Sequence, residues 1–246
     1  MKLIDLTTDL NTLLGVTEIQ DYPQAVNGLQ VENGGEVTRV AVAVDACEAV
    51  LQQAVEAKAD LLVVHHGLFW NGLGPVTGAQ YRKLRLALDN NLAIFSMHLP
   101  LDAHPELGNN ALLCDAIRLP AKRRPFLEIG WQAEEEVSRE SLLARVSKAV
   151  GGPVHLAPGG PETCGRIGVA TGGAGSEIFR AVEEGVDTFI TGEGPHWSYT
   201  AAEEVGVNLL YAGHYATETF GVKALGEELQ RKFKLPWEFL DHPTGL

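Results

Sequence analysis

Apolar and polar positions along this chain follow two rhythms. Short apolar runs occur at Val40–Val44, Leu61–Val64 and, broken only by Ser96, Leu92–Met97. Between them, apolar residues recur at helical spacing over about Glu48–Ala57 and Ala79–Asn90. The same order returns later, with runs at Ile167–Thr171, Thr188–Thr191 and Leu209–Ala212 and helical segments at Ser176–Glu184 and Tyr199–Val205. Apolar runs too short for buried helices, flanking amphipathic segments, read as strand–helix–strand units. Such crossovers place parallel strands side by side under covering helices.

The recurrence extends to residue identities. Arg39–Gly67 aligns with Arg166–Gly194 without a gap at an offset of 127 (166 − 39), matching Arg39/Arg166, Val42/Val169, Ala43/Ala170, Ala54/Ala181, Val55/Val182, Glu56/Glu183, Asp60/Asp187 and Gly67/Gly194. Trp70/Trp197 continues it. The third run of the first copy leads into His98-x-x-x-Asp102, and that of the second into His214-x-x-x-Glu218, now at an offset of 116 (214 − 98). The expected fold is therefore α/β: two similar domains related by an internal repeat, each a mostly parallel or mixed sheet flanked by helices. Pro120 and Pro125 punctuate the stretch Arg118–Gly130, which puts the division at 1–125 and 126–246. Glu134–Val150 reads as an acid-led helix of the second half, and the helical Phe220–Phe233 could pack on either half.

Composition narrows the picture. The chain has 246 residues, 45% of them hydrophobic and 21% charged, ordinary values for a globular protein with a sizeable core. A net charge of −13 repels phosphate backbones and argues against non-specific nucleic-acid binding. The single basic cluster, Lys122-Arg123-Arg124, reads as a solvated turn beside Pro125. Three cysteines, Cys47, Cys114 and Cys164, are odd in number and unclustered, so a disulfide framework is not expected. The opening Met1-Lys2-Leu3-Ile4-Asp5 places an acid where a signal peptide needs apolar residues. No stretch reaches the roughly 18 apolar residues of a membrane span. The expected location is the cytoplasm.

The chemistry concentrates at strand ends, where open α/β sheets hold their ligands. His65-His66-Gly67 follows Leu61–Val64 directly, and imidazole suits zinc, iron, nickel and copper. Asp102 and Glu218 occupy equivalent places, each four residues after a histidine. Taken singly, Asp102 reads as a cap for a helix starting near His104 and Glu218 as an acid at a helix start. Taken with the double histidine and the repeat, the pair reads as bridging carboxylates between two cations, with His65, His66 and His214 filling terminal positions. Two-metal sites hold their ions roughly 3.5–4 Å apart and activate a shared water. His65-His66 corresponds to Gly192-Glu193 in the second copy, so the halves share one centre rather than each holding its own. His98 is a ligand or a neighbour that orients one and handles protons. Glu193 and His196 are candidates for acid–base work, or for structural and interface roles. The turn Thr171-Gly172-Gly173-Ala174-Gly175-Ser176 follows a strand and opens a helix, where an anion is favoured. Gly172, Gly173, Gly175 and Ser176 are thus candidates for phosphate binding, with a tight packing turn as the alternative.

Several segments together resemble the GTP cyclohydrolase 1 type 2 homologue family, also called the NIF-three-like family. They are Asn27–Val31, Val63–Gly67, His98–His104, Thr191–Gly194 and Gly213–Glu218. The likeness spans almost the whole chain. It implies two α/β domains, assembly into a homohexameric ring, and a dinuclear metal centre held by His65, His66, Asp102, His214 and Glu218. The family name implies opening of the GTP imidazole ring. The expected function is a metal-dependent hydrolase acting on a nucleotide or related small molecule through two divalent ions, with iron, zinc, manganese and nickel all compatible. The alternatives are a metal-handling or regulatory protein without turnover and, against the charge balance, a ring that binds single-stranded DNA.

Overall fold

The structure, a computed structural model, describes residues 1–246 apart from Asn71 and Leu73. In chain order its elements are α1 (Leu3–Leu13), β1 (Gly28–Val31), β2 (Val40–Asp45), α2 (Glu48–Glu56), β3 (Leu61–His66), α3 (Gly78–Asp89), β4 (Ala93–Ser96), α4 (Leu99–Ala103), α5 (Asn109–Ala116), β5 (Arg123–Phe126) and β6 (Gly130–Ser138). There follow α6 (Arg139–Val150), β7 (His155–Pro158), β8 (Thr163–Val169), a 3-10 turn at Ala174–Glu177, α7 (Ile178–Glu183), β9 (Thr188–Thr191), α8 (His196–Val205), β10 (Asn208–Tyr211), α9 (His214–Thr217), α10 (Thr219–Phe233) and β11 (Trp237–Phe239).

The chain forms two compact units, Met1–Leu101 with Gly221–His242, and Asp102–Phe220 with Pro243–Leu246. The single boundary at 125/126 expected from sequence differs from this division. Residues 102–125 belong to the second unit because Leu113, Cys114, Ile117 and Leu119 bury their side chains among Ala133, Val137, Ile167 and Val169. Gly221–His242 belongs to the first, where β11 adds a parallel edge strand to β2.

The first unit holds a five-stranded sheet in the order β1-β4-β3-β2-β11, parallel except for β1. The run Leu61–Val64 is fully buried because a central parallel strand is covered on both faces. The second unit holds a six-stranded sheet, β5-β6-β8-β9-β10-β7, in which β8, β9 and β10 are parallel and the rest antiparallel.

The repeat is visible in the register. Val40 faces Leu61 and Val42 faces Val63 in the first sheet; Ile167 faces Thr188 and Val169 faces Ile190 in the second, the same pairs moved by 127. Asp60 Oδ2 accepts the N–H groups of Thr38 and Arg39, and Asp187 Oδ2 those of Gly165 and Arg166, again 127 apart. These carboxylates tie the start of one strand to its neighbour, just before β2 in the first copy and within β8 in the second.

One expected element is corrected. Glu134–Val150 is not a single helix: Gly130–Ser138 is a strand paired with β8, and only Arg139–Val150 is helical. Buried Ala133 and Val137 face the core, and the glutamates between them carry the helix-like composition. Ser138 stops the strand and caps the helix, its hydroxyl accepting the N–H of Ser141. Among the described residues no helix is long and apolar enough to cross a membrane.

Candidate metal centre

In the first unit, β3 delivers His65 and His66 at its carboxyl end. Successive strand residues point to opposite faces, yet here the strand stops, and the two ring centroids lie 4.7 Å apart. His98, just beyond β4, brings a third ring to 5.0 Å from His65 and 5.6 Å from His66. One ring nitrogen from each of the three lies within 4.8 Å of the others. His65 is fully buried and His98 nearly so, while the His66 side chain keeps 20% exposure.

Every ring is anchored through Nδ1: that of His65 on the Met97 carbonyl (2.9 Å), that of His66 on Asp45 Oδ1 (2.8 Å) and that of His98 on Asp21 Oδ1 (2.8 Å). An acceptor opposite Nδ1 places the ring proton there and the lone pair on Nε2, the form in which histidine binds a metal.

Asp21 is the residue that sequence reading missed. Besides His98, its Oδ2 accepts the Asn27 side-chain amide (2.8 Å) and the Leu99 N–H (3.1 Å). Burial opposes its charge, but the hydrogen bonds from His98 and Asn27 and the nearby imidazole outweigh that and pull its pKa down to about 2. Asn27 Oδ1 also accepts the backbone N–H of His98 (2.8 Å), so the Asn27-Gly28 turn is part of the centre's frame.

The second unit holds the carboxylates. Asp102 lies inside α4, not at the start of a helix near His104, and is 3% exposed. Its Oδ1 accepts from Asn109 Nδ2 (2.8 Å). Asn110 braces the same turn, donating to the Asp102 carbonyl (3.2 Å) and accepting the Thr171 N–H (2.7 Å). Glu218, also 3% exposed, sits between α9 and α10. A carboxylate oxygen of Asp102 and one of Glu218 lie within 4.8 Å of each other. His214 stands between two acids, with Nε2 3.2 Å from Glu218 Oε2 and Nδ1 2.8 Å from Glu193 Oε1. Burial disfavours its protonation, but Glu218 and Glu193 outweigh that and raise its pKa to about 9. This corner of the protein stabilises positive charge. Buried carboxylates set this close need a cation, and anchored imidazoles supply neutral nitrogen donors, so the residues present fit a divalent metal.

The remaining candidates fall into place locally. The β9–β10 register, Tyr211 opposite Thr191 against Ser96 opposite Val64, moves the third strand by 115. His214 therefore stands one residue beyond the strict counterpart of His98; that counterpart is Gly213, at φ 91°. Glu193 holds His214, whereas His196 is exposed at the start of α8. The glycines of the Thr171–Ser176 turn have a steric reason of their own. A Cβ on Gly172 would stand 2.3 Å from Glu218 Oε1, and one on Gly175 would stand 2.6 Å from Gly194 Cα. In the basic cluster, Arg123 pairs with Asp115 and Arg124 with Glu134. All three cysteines are free, and burial pushes the Cys114 thiol up to about 12.

Comparison with known proteins agrees over the full length. The sequence profile of Duf34/NIF3 (NGG1p interacting factor 3) matches residues 1–244. A Halobacterium salinarum protein named GTP cyclohydrolase 1 type 2 homolog is 41% identical, with all of both chains covered. A Deinococcus radiodurans protein of the same name is 39% identical over 92% of this chain and 88% of its own. A crystal structure of a Thermus thermophilus protein superposes with a TM-score of 0.94 at 36% identity, covering 100% of both chains.

Proposed function

Because the chain belongs to the Duf34/NIF3 (NGG1p interacting factor 3) family, we propose that it uses that family's fold to hold two divalent metal ions and to hydrolyse a nucleotide or related small molecule. His65, His66, Asp102, His214 and Glu218 hold the ions. The observation that carries this reading is the anchoring of His65, His66 and His214 through Nδ1, together with the buried Asp102–Glu218 pair. When bound, such ions supply Lewis-acid activation of a carbonyl or phosphoryl oxygen and of water. Imidazole and carboxylate donors accept iron, zinc, manganese or nickel.

The chain's other residues hold this arrangement. Asp45, Glu193 and the Met97 carbonyl orient the ligand rings. His98, backed by ionised Asp21, presents Nε2 as a proton acceptor beside His65 and His66. Replacing Asp45, whose side chain is 32% exposed, with alanine is expected to weaken metal binding by about 10–100-fold while stability hardly changes. Chelator competition on the folded protein reads that number, and an unchanged affinity would show that Asp45 does not orient a ligand.

Metal-loaded protein is expected to release formate from GTP or to turn over another nucleotide. A broad panel with metal content verified is the test. Absence of turnover across it would refute the hydrolase and leave a metal-handling role for the same ligands.

A further inference from the structure

We propose that Tyr22 and Trp70 form an aromatic corner, on the solvent side of the His65–His66–His98 cluster, that stacks the flat heteroaromatic ring of a nucleobase-like ligand. The inference rests on the metal-site reading above and names the substrate class of that site.

Trp70 stands edge-on to His98, centroids 4.4 Å apart at 79°, and edge-on to His66 at 5.4 Å and 76°. Tyr22 lies over His98 at 5.7 Å and 27°. Both rings nevertheless face solvent, Tyr22 62% exposed and Trp70 37%. A single exposed aromatic residue calls for no explanation. Two that bracket a buried imidazole cluster do, because burying their outer faces would strengthen the packing over it.

The two rings are held as one piece. The Val26 N–H donates to the Phe69 carbonyl (3.3 Å) and the Gly72 N–H to the Gln24 carbonyl (3.1 Å). Gln30 accepts the Leu68 N–H through Oε1 and donates to the Val26 carbonyl through Nε2, both at 2.7 Å. Asp21, next to Tyr22, joins this arch to His98. The carboxylate that anchors His98 is thus the chain neighbour of Tyr22, at the start of the arch that carries the aromatic pair.

Its geometry selects a ligand. The Tyr22 and Trp70 centroids are 6.2 Å apart at 59°, a corner rather than a sandwich. A third flat ring can lie against one face and present its edge to the other, the two arrangements aromatic groups prefer. Every nucleobase offers such a face, and stacking contributes mainly through area, so the corner selects for a ring and not for one particular base.

Calorimetric titration with guanosine and adenosine, and with ribose as the ring-free control, tests this on metal-free and metal-loaded full-length protein. At least one nucleoside is expected to bind saturably where ribose does not. Tyr22→Ala should weaken it by about tenfold or more and Tyr22→Phe should preserve it. Tyr22 is largely exposed, so both variants keep the fold, which a melting curve verifies. Neither nucleoside binding, or Tyr22→Ala binding as well as the parent, would overturn the proposal. Elemental analysis of the same samples judges the metal reading separately, since stacking needs no ion: nucleoside binding to a protein unable to hold metal would sink the centre and leave the corner standing.

Discussion

Replacing His66 with alanine is expected to leave a folded chain that has lost at least one of the two divalent ions proposed for the parent protein. His66 separates the two effects better than its neighbour. His65 is fully buried, and truncating it would open a cavity beside the Met97 carbonyl and the His98 ring and mix loss of packing with loss of a ligand. His66 keeps 20% of its side chain exposed, and its partner Asp45 keeps 32%, so water replaces the lost hydrogen bond at little cost. Its contribution to a metal is another matter. Outer groups that only orient ligands change affinity by about 10–100-fold, and deleting the donor itself exceeds that range. Elemental analysis of protein purified without added metal should find two equivalents per chain in the parent. The variant, with an unchanged melting temperature in chelator, should fall short of that by one or both. A parent without metal, or a variant that keeps both ions, would remove the dinuclear centre.

The strand ends that carry this chemistry were legible because parallel strands must be apolar throughout, so that a polar residue at the end of such a run stands out. Val40–Val44, Leu61–Val64 and their counterparts near residues 167 and 188 announced the βαβ units, and the offset of 127 survives as an identical register. What could not be read was anything fixed by contact across irregular backbone. Asp21 meets His98 from 77 positions away, out of a segment without periodicity, and only the fold joins them. Sequence pattern also misjudged Glu134–Glu136, whose helix-like composition is overridden by pairing with β8. The repeat itself explains how the two halves came to differ. The pair Asp45 and His66 corresponds to Gly172 and Glu193. In the first copy the aspartate anchors the histidine; in the second, Glu193 anchors His214 instead, and the place of Asp45 is held by a glycine that leaves room for Glu218. One inherited frame thus carries the paired histidines His65-His66 in one copy and Gly192-Glu193 in the other, while each copy keeps a carboxylate, Asp102 or Glu218.

At that glycine a single added methyl group would reach a proposed ligand. Gly172→Ala is expected to cost about 2–3 kcal/mol of stability and to abolish binding of at least one ion. Gly172 has φ 68°, where a Cβ costs about 1–2 kcal/mol by itself. The added atom would also stand 2.3 Å from Glu218 Oε1, so something must move. The backbone is not free to: the Gly172 carbonyl accepts the N–H groups of Gly192 and Glu193 (both 2.9 Å) and the Thr191 hydroxyl (3.2 Å), and its N–H donates to Thr217 Oγ1 (3.1 Å). The carboxylate at the end of a flexible side chain gives way instead, and a ligand leaves its place. Gly151→Ala supplies the control. Gly151 ends α6 at φ 69°, with no atom within 4 Å of an added Cβ, so it bears the backbone strain alone and should keep both ions. Denaturant unfolding in chelator, paired with elemental analysis, separates the two variants. If Gly172→Ala were no costlier than Gly151→Ala and retained the full metal content, Glu218 would not be the side chain that the glycine makes room for.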